Sequence, residues 1–417
     1  MTYQNQSKSP SIWSVLPILL LASATSIIST DLYSASLPAL PSLLNTTPSM
    51  VKLTMSLNIL VLGLAQLIHG PLSDRLGRRP MLLGGLLVFS LASVGCALAP
   101  DIETLLVMRV LQGAAAAVEA VVVLAVIREV FDEEGQVKAL AWFGIVIALA
   151  PAVAPIAGGY IFELAGWRAN FHVMAVAGVL TALLVYLRLP ESGTPDPMAT
   201  RPSRVMRAYR DLMTNRVFVS YVALESICLA AIFAFITAGP FIYIDLLGLR
   251  PTAFGYFQAV IVLAFSAGSF LAERIAGRLP PRRILMAGLY ISLAGVAWLV
   301  SVISMGVSSP WPLTGAMSVI LFGAGPVFAT TPMLAMKAAG KVIGAAAALI
   351  GGTEMLAAGL ASGALSFMSS ESAMPLLQVF AVLTPLAALA FVASSETSSG
   401  KTNENGSRPG GQNQSDR

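Results

Sequence analysis

The sequence predicts an all-α polytopic membrane protein, with twelve transmembrane helices in two pseudo-symmetric six-helix bundles. Of its 417 residues, 56% are apolar and only 11% are charged, against roughly 25% charged residues in soluble domains. The mean hydropathy of +0.79 agrees with this. Twelve apolar runs approach the roughly 20 residues that cross a bilayer, and a basic, proline-rich stretch separates them six and six.

The first bundle is predicted over residues 12–189, after a short polar N-terminus at 1–11 that carries one cation, Lys8. The small residues at 21–24 resemble a signal-peptide cleavage site. Removal of that segment would leave an odd number of spans, whereas retaining it gives an even one. The six predicted spans cover 12–36, 51–70, 80–98, 102–127, 139–162 and 170–188.

The stretch at 190–216 holds five arginines and several prolines, and it is predicted as a basic cytoplasmic linker. The second bundle is predicted over 217–393. The Ser-, Asn- and Gly-rich residues 394–417 are expected to form a disordered cytoplasmic tail. The second set of spans covers 217–242, 254–273, 284–304, 312–334, 342–366 and 373–393.

The distribution of basic residues predicts the orientation. If both termini are cytoplasmic, 21 of the 25 Lys and Arg lie on the cytoplasmic side, only Lys52, Arg168 and Arg250 lie outside, and Arg109 lies within span 4. This asymmetry is typical of a multi-pass protein of the cytoplasmic (inner) membrane. The net charge of +4 is therefore a topology signal, and no nucleic-acid partner is expected.

Several classes of function are excluded by what the chain lacks. Cys96 and Cys228 both lie in apolar runs, and His69 and His172 have no zinc-site spacing, so neither a disulfide nor a metal site is expected. The tail residues 395–402 only approach a phosphate-binding loop, because a serine replaces its first glycine. No nucleophile-base set and no soluble domain are evident, so an enzyme or receptor is not expected and no cofactor is needed.

The loop between spans 2 and 3 carries the strongest local motif. Gly and Pro suit a tight turn, while an acid among arginines can clamp a neighbouring helix end in one conformation and release it in another. An ordinary positive-inside loop is the alternative. A degenerate copy at 273–283, about 200 residues later, supports two related halves. The residues of this predicted conformational switch are Gly70, Asp74, Arg75, Gly77, Arg78 and Arg79.

Span 5 carries a second pattern, with Pro151, Pro155, Gly158 and Gly159 among small residues. Small residues and prolines on one face let helices approach closely and bend. Such a helix can seal one end of a cavity, although a generic packing face remains the alternative.

These motifs resemble the major facilitator superfamily, and in particular its drug:proton antiporters of the bicyclomycin and chloramphenicol resistance (Bcr/CflA) group. The sequence departs from the group at Ala35, where a proline is usual, and where alanines replace two glycines of the span 5 motif. The resemblance implies the major facilitator fold. It covers spans 1 to 8 through 31–38, 45–48, 70–79, 109–113, 150–159 and 238–243.

Five charged residues stand out because they lie well inside the predicted spans. They are Asp31, Arg109, Glu119, Glu225 and Glu354. A charge at the bilayer centre costs about 2.5–3.5 kcal/mol on insertion scales. Each of these residues is therefore expected to have a structural or functional role.

At 1.5 Å per residue, Asp31 and Arg109 have similar depth. We predict that they pair and that proton arrival on Asp31 frees the arginine; a static structural ion pair is the alternative. Arg109, Gln112, Ala116 and Glu119 recur as one stripe of span 4. Glu119 is predicted as a second protonation site or a partner for cationic substrates, with a protonated acid bonded to a neighbouring helix as the alternative.

Aromatic and polar residues at other span positions are candidates for contacts with a substrate, although aromatic side chains in spans also pack against helices and lipid. The predicted substrate cavity comprises Tyr33, Asn58, Gln112, Glu225, Phe233 and Glu354.

The acids within the spans favour proton-coupled transport. The resemblance implies efflux of small amphipathic compounds, such as multidrug, phenicol or bicyclomycin-type antibiotics, by alternating access. Export of an endogenous metabolite such as a siderophore is the alternative. The expected partners are a small-molecule substrate, protons and the lipid bilayer; the proton motive force is the energy source, and the expected state is a monomer.

Overall fold

The computed structural model describes residues 12–193, 195–340 and 343–404 and confirms the predicted all-α fold. In this part of the chain all regular structure is helical, and twelve helices are long and apolar enough to cross a bilayer. Helices 1 to 12 are Ile12–Ser34, Pro48–Leu76, Arg78–Leu98, Ile102–Val130, Glu133–Ala165, Trp167–Arg188, Arg216–Leu246, Pro251–Ile275, Pro281–Ser304, Pro310–Ala339, Ile343–Ser366 and Met374–Glu404.

Side-chain caps fix several helix starts. The Thr47 hydroxyl accepts a hydrogen bond from the Met50 N–H before helix 2, and Asp132 accepts one from Gly135 before helix 5. Asp101 caps helix 4 by accepting from Thr104, which holds the pKa of its carboxyl below the ordinary value. Each cap satisfies an N–H that has no partner within its helix.

Most helices extend beyond their predicted limits. Helix 2 covers 48–76 rather than 51–70, and helix 5 covers 133–165 rather than 139–162. Hydropathy marks the part of a helix that suits lipid, whereas caps and prolines mark where the helix starts. Helix 12 continues to Glu404, so regular structure enters the predicted disordered tail; residues 405–417 and 1–11 lie outside the described residues.

The central linker contains a helix that hydropathy does not reveal. This linker helix, Pro202–Met213, exposes Arg204, Arg207 and Arg210. On its other face Leu212 is buried, and the Tyr209 hydroxyl donates to the Leu67 carbonyl of helix 2 at 2.9 Å. Burial at this contact raises the pKa of Tyr209. The linker helix thus touches the first bundle while leading into the second.

The twelve helices pack as two bundles. Helix 3 packs against helices 4 and 6 and helix 1 against helices 5 and 6, while helix 10 packs against helices 8 and 9 and helix 7 against helices 11 and 12. Two seams join the bundles, one between helices 2 and 11 and one between helices 5 and 8. The end of the molecule that carries the central linker is called the linker side, and the opposite end the far side.

Candidate functional site

Arg109 is fully buried in the first bundle. Its guanidinium donates to the Ser29 carbonyl of helix 1 at 2.9 Å, to the Thr54 carbonyl of helix 2 at 3.4 Å and to the Gln112 side chain. The aromatic ring of Tyr33 lies 5.1 Å from its guanidinium carbon. The planar fork of donors therefore ties helices 1, 2 and 4 together near the far side.

The predicted Asp31–Arg109 pair is not formed. Ser29 and Tyr33 are four residues apart and share the helix 1 face that meets Arg109, whereas Asp31 lies two residues from each, on the opposite face. Equal depth along two helices does not bring side chains together when their faces differ.

Asp31 lies on the face of helix 1 away from Arg109. Ala35, just after the end of helix 1, packs in a core cluster otherwise formed by the second bundle. Asp31 is 4% exposed, and its Oδ1 has no hydrogen-bond partner. The structure thus places a buried carboxyl with an unpartnered oxygen about one turn before this contact with the second bundle.

Glu119 lies deeper in the same bundle and is fully buried. Neither carboxyl oxygen has a hydrogen-bond partner, although the backbone of Ser26 on helix 1 lies close to the carboxyl. An ionised carboxylate without a partner is costly in such a place. Its surroundings therefore favour the neutral acid.

Three residues predicted to line the substrate cavity are engaged inside the first bundle. The Tyr33 hydroxyl bonds Thr54 at 2.9 Å, and the Asn58 amide donates to the Arg109 carbonyl at 2.8 Å. Gln112 donates to the Ser93 hydroxyl at 2.7 Å. All three predicted cavity residues are fully buried, so they support the walls of the bundle rather than an open surface.

The other predicted cavity residues lie in the second bundle. Phe233 is partly buried against the core shared by both bundles. Glu225 of helix 7 and Glu354 of helix 11 come together, with their carboxyl groups within hydrogen-bonding reach of each other. The sequence indicated each acid separately but not their contact, because it does not show which helices are neighbours.

The predicted switch loop is organised around Arg78. Its guanidinium lies 2.6 Å from an oxygen of Asp74 and 2.8 Å from one of Glu129, at the end of helix 4. Arg79 donates to the Tyr186 carbonyl of helix 6 at 2.6 Å. The loop between helices 2 and 3 is therefore fastened to both helix 4 and helix 6.

The linker adds contacts that the sequence did not indicate. Glu191 accepts from the backbone N–H of Arg78 at 2.8 Å and of Arg79 at 3.3 Å, at the start of helix 3. Farther along, Thr200 accepts from Arg75 at 3.0 Å. A carboxylate at a helix N-terminus binds free N–H groups, so the linker is anchored to the switch loop.

Gly77, at the turn of this loop, has a φ of +97°. A Cβ there would also lie 2.7 Å from a Glu191 carboxylate oxygen. We expect Gly77→Ala to lower the free energy of unfolding by about 1–2 kcal/mol, since residues with a Cβ disfavour this backbone conformation. Denaturant unfolding of the purified protein measures the change.

Gly84→Ala is the matched control, because Gly84 is inside helix 3 with open space at its Cβ position. It should leave stability equal or raise it by about 0.5–1 kcal/mol. Equal stability losses in the two variants would contradict the structural role assigned to Gly77.

The small residues of helix 5 lie at close helix crossings. A Cβ at Gly158 would overlap the Leu32 carbonyl of helix 1, and one at Gly159 would lie 2.8 Å from the Pro251 carbonyl oxygen of helix 8. Pro155 is buried in the same segment, whereas Pro151 lies one turn earlier. Glycine is needed here because the backbones touch, and both contacts lie toward the far-side end of helix 5.

The seam between helices 2 and 11 is built in the same way. A Cβ at Gly63 would lie 2.9 Å from the Gly352 carbonyl oxygen, and one at Gly359 would lie 2.7 Å from the backbone of Leu60. At its far-side end Lys52, which is only 3% exposed, donates to the Leu365 carbonyl of helix 11 at 3.2 Å. Lys52 was predicted to lie on the outer side, and in the structure it fastens the two bundles at their far-side ends.

Comparison with known proteins agrees with this architecture. Residues 19–362 match the family model of the Major Facilitator Superfamily. An uncharacterized MFS-type transporter of Bacillus subtilis (strain 168) is 31% identical over 367 residues, covering 87% of this chain and 90% of that protein. A bicyclomycin resistance protein homolog of Haemophilus influenzae is 28% identical over 366 residues, covering 87% of this chain and 91% of that protein.

Among solved structures, the crystal structure of a D-xylose-proton symporter matches with a TM-score of 0.72. The match covers 92% of this chain and 97% of the symporter at 15% sequence identity. At that identity it shows the shared fold alone.

Proposed function

Because the chain belongs to the Major Facilitator Superfamily, we propose that this multi-pass membrane transporter exports small amphipathic compounds in exchange for protons. The relative named for bicyclomycin resistance and the Bcr/CflA-type motifs support multidrug, phenicol or bicyclomycin-type antibiotics as the substrate class. The linker side is the cytoplasmic side in this proposal, and the proton motive force supplies the energy.

One observation carries the proposed coupling. The Asp31 carboxyl is buried, with an oxygen that has no hydrogen-bond partner, about one turn before the contact of Ala35 with the second bundle. A carboxyl so placed tolerates a neutral state better than an ionised one, so it keeps a bound proton while the bundles are closed around it. When the bundles separate, water reaches the carboxyl and the proton leaves.

The two seams supply the moving parts. The glycine contacts of helix 5 with helix 8 and of helix 2 with helix 11 join two compact bundles through short stretches of backbone. Rocking of one bundle against the other around a midplane site is how many secondary transporters alternate their access. Arg109 holds helix 1, and with it Asp31, in a fixed orientation during this movement.

Two assays test the function together. Expression in an efflux-deficient host should raise resistance to at least one of florfenicol, bicyclomycin and tetraphenylphosphonium. In inverted membrane vesicles acidified inside by respiration, the same compound should raise the internal pH when added. Vesicles from the host without the protein are the control.

The outcomes separate the alternatives. Unchanged resistance and no pH response to any of the three compounds would contradict antibiotic export. A pH response to extracts of the host's own secreted metabolites, without any resistance, would instead support export of an endogenous compound. Resistance without any pH response would contradict proton coupling.

A further inference from the structure

Two acidic side chains meet inside the second bundle. The carboxyl groups of Glu225 on helix 7 and Glu354 on helix 11 lie within hydrogen-bonding reach of each other, and Thr331 of helix 10, whose hydroxyl donates to the Val327 carbonyl, lies beside Glu225. Measured from the linker-side ends of their helices, Glu225, Glu354 and Thr331 lie at depths of about 14, 17 and 12 Å at 1.5 Å per residue. Three helices therefore converge on one carboxyl pair at a single depth.

Both acids are withdrawn from the surface of the bundle. Glu225 is 2% exposed and its Oε2 has no hydrogen-bond partner, and Glu354 is partly buried. One position beyond Glu225, the Ser226 hydroxyl lies 3.5 Å from that of Thr353, next to Glu354. Helices 7 and 11 are thus held together at the pair.

Among the described residues no cation compensates the pair. The polar side chains close to the Glu225 carboxyl are those of Glu354 and Thr331, and the side chain close to the Glu354 carboxyl is that of Glu225. The remaining titratable neighbour is Cys228, one turn along helix 7. Among the described residues of helices 7, 10 and 11, no lysine or arginine lies close enough to either carboxyl to compensate its charge.

The contact between the carboxyls itself requires a proton. An ionised carboxylate only accepts hydrogen bonds, so two carboxyls can bond each other only when one of them carries a hydrogen. Two ionised carboxylates within hydrogen-bonding reach of each other are also strongly disfavoured, because their charges repel. Carboxyl pairs so placed share one proton.

We propose that Glu225 and Glu354 form a single proton-binding site, distinct from Asp31, through which the second bundle contributes to the coupling. This inference rests on the proposed proton-coupled transport. As the proton enters, an O–H bond of a hydronium ion breaks and an O–H bond forms on Glu354, leaving a water molecule. Glu354 then shares the proton with Glu225, and release reverses these steps.

The position of the pair links proton occupancy to the seam. Glu354 lies between Gly352 and Leu356 on helix 11, and both of these contact Gly63 of helix 2 in the other bundle. Without its shared proton the pair carries two negative charges, which repel helix 11 from helix 7. Loss of the proton therefore pushes on helix 11, which forms the seam with helix 2 of the other bundle.

The first test measures protons moved per substrate molecule in proteoliposomes, with tetraphenylphosphonium as the probe. In Glu225→Gln/Glu354→Gln the ratio should fall by one proton, because glutamine keeps the size and hydrogen bonding but binds no proton at this pH. Each single variant should show the same fall, since the carboxyls act as one site. Glu103→Gln, at an exposed acid in the first turn of helix 4, should keep the wild-type ratio.

The ratio also separates this inference from the proposed function. A wild-type protein that moves the probe without protons would contradict the proposed function. A wild-type ratio that persists in the double variant would overturn the inference and leave the proposed function standing. A fall of one proton in each single variant and of two in the double variant would also overturn it, because the acids would then be independent sites.

The second test needs no transport. Infrared difference spectra of purified wild type and double variant at neutral pH should show the loss of one protonated-carboxyl band per molecule, and in wild type this band should shift in D₂O. Loss of no band would mean that the pair holds no proton, and loss of two would mean that each acid carries its own proton rather than sharing one. Either result would contradict the proposal.

Discussion

Asp31→Asn should abolish proton-driven export, reducing gradient-driven transport to the level of membranes without the protein. Asparagine preserves the size of the side chain at this buried position but cannot gain or lose a proton near neutral pH. Substrate exchange in the absence of a gradient needs no net proton movement and should therefore persist. Uptake of a fluorescent cationic dye into inverted vesicles measures the first quantity, and counterflow in proteoliposomes the second.

Asp101→Asn is the matched control, because Asp101 is an exposed helix cap on the far side and asparagine caps a helix about as well as aspartate. This variant should transport like wild type. Full gradient-driven transport by Asp31→Asn would refute the role of Asp31 as proton carrier, whereas loss of both transport and counterflow would assign it a structural role.

Arg109→Lys should destabilise the first bundle although the positive charge is kept. The guanidinium donates to Ser29, Thr54 and Gln112 at once, and a single ammonium cannot reproduce this fork. Hydrogen bonds to charged groups contribute about 1.5–3 kcal/mol each, so we expect a loss of about 2–3 kcal/mol in the free energy of unfolding. Denaturant unfolding of the purified protein measures it.

Arg283→Lys provides the comparison, since Arg283 is exposed in the first turn of helix 9 and its replacement should change stability little. If Arg109→Lys unfolds at the same denaturant concentration as wild type, the guanidinium does not hold helices 1, 2 and 4 together. The orientation assigned to Asp31 would then lose its basis.

The main features of the fold could be predicted from the sequence. Twelve apolar runs and a basic linker indicated twelve helices in two halves, because the bilayer imposes one length and one composition on every span. The switch loop was equally accessible, since Asp74, Arg78 and Glu129 are charged residues at helix ends. The linker helix was missed because its exposed arginines give it no hydropathy signal.

The site was only partly predictable. The sequence indicated which buried charges needed an explanation, and all five lie inside helices in the structure. It gave depth along each helix but not rotation, so Asp31 was assigned to Arg109 although it lies on the opposite face of helix 1. The contact of Glu225 with Glu354 depends on helices 7 and 11 being neighbours, which no local pattern states.

The most direct test of proton coupling uses purified protein in liposomes with a defined pH gradient and tetraphenylphosphonium as cargo. The proposed mechanism predicts cargo movement against its concentration gradient while the pH gradient lasts, and loss of that movement when an ionophore collapses the gradient. Equal cargo accumulation with and without the gradient would contradict it.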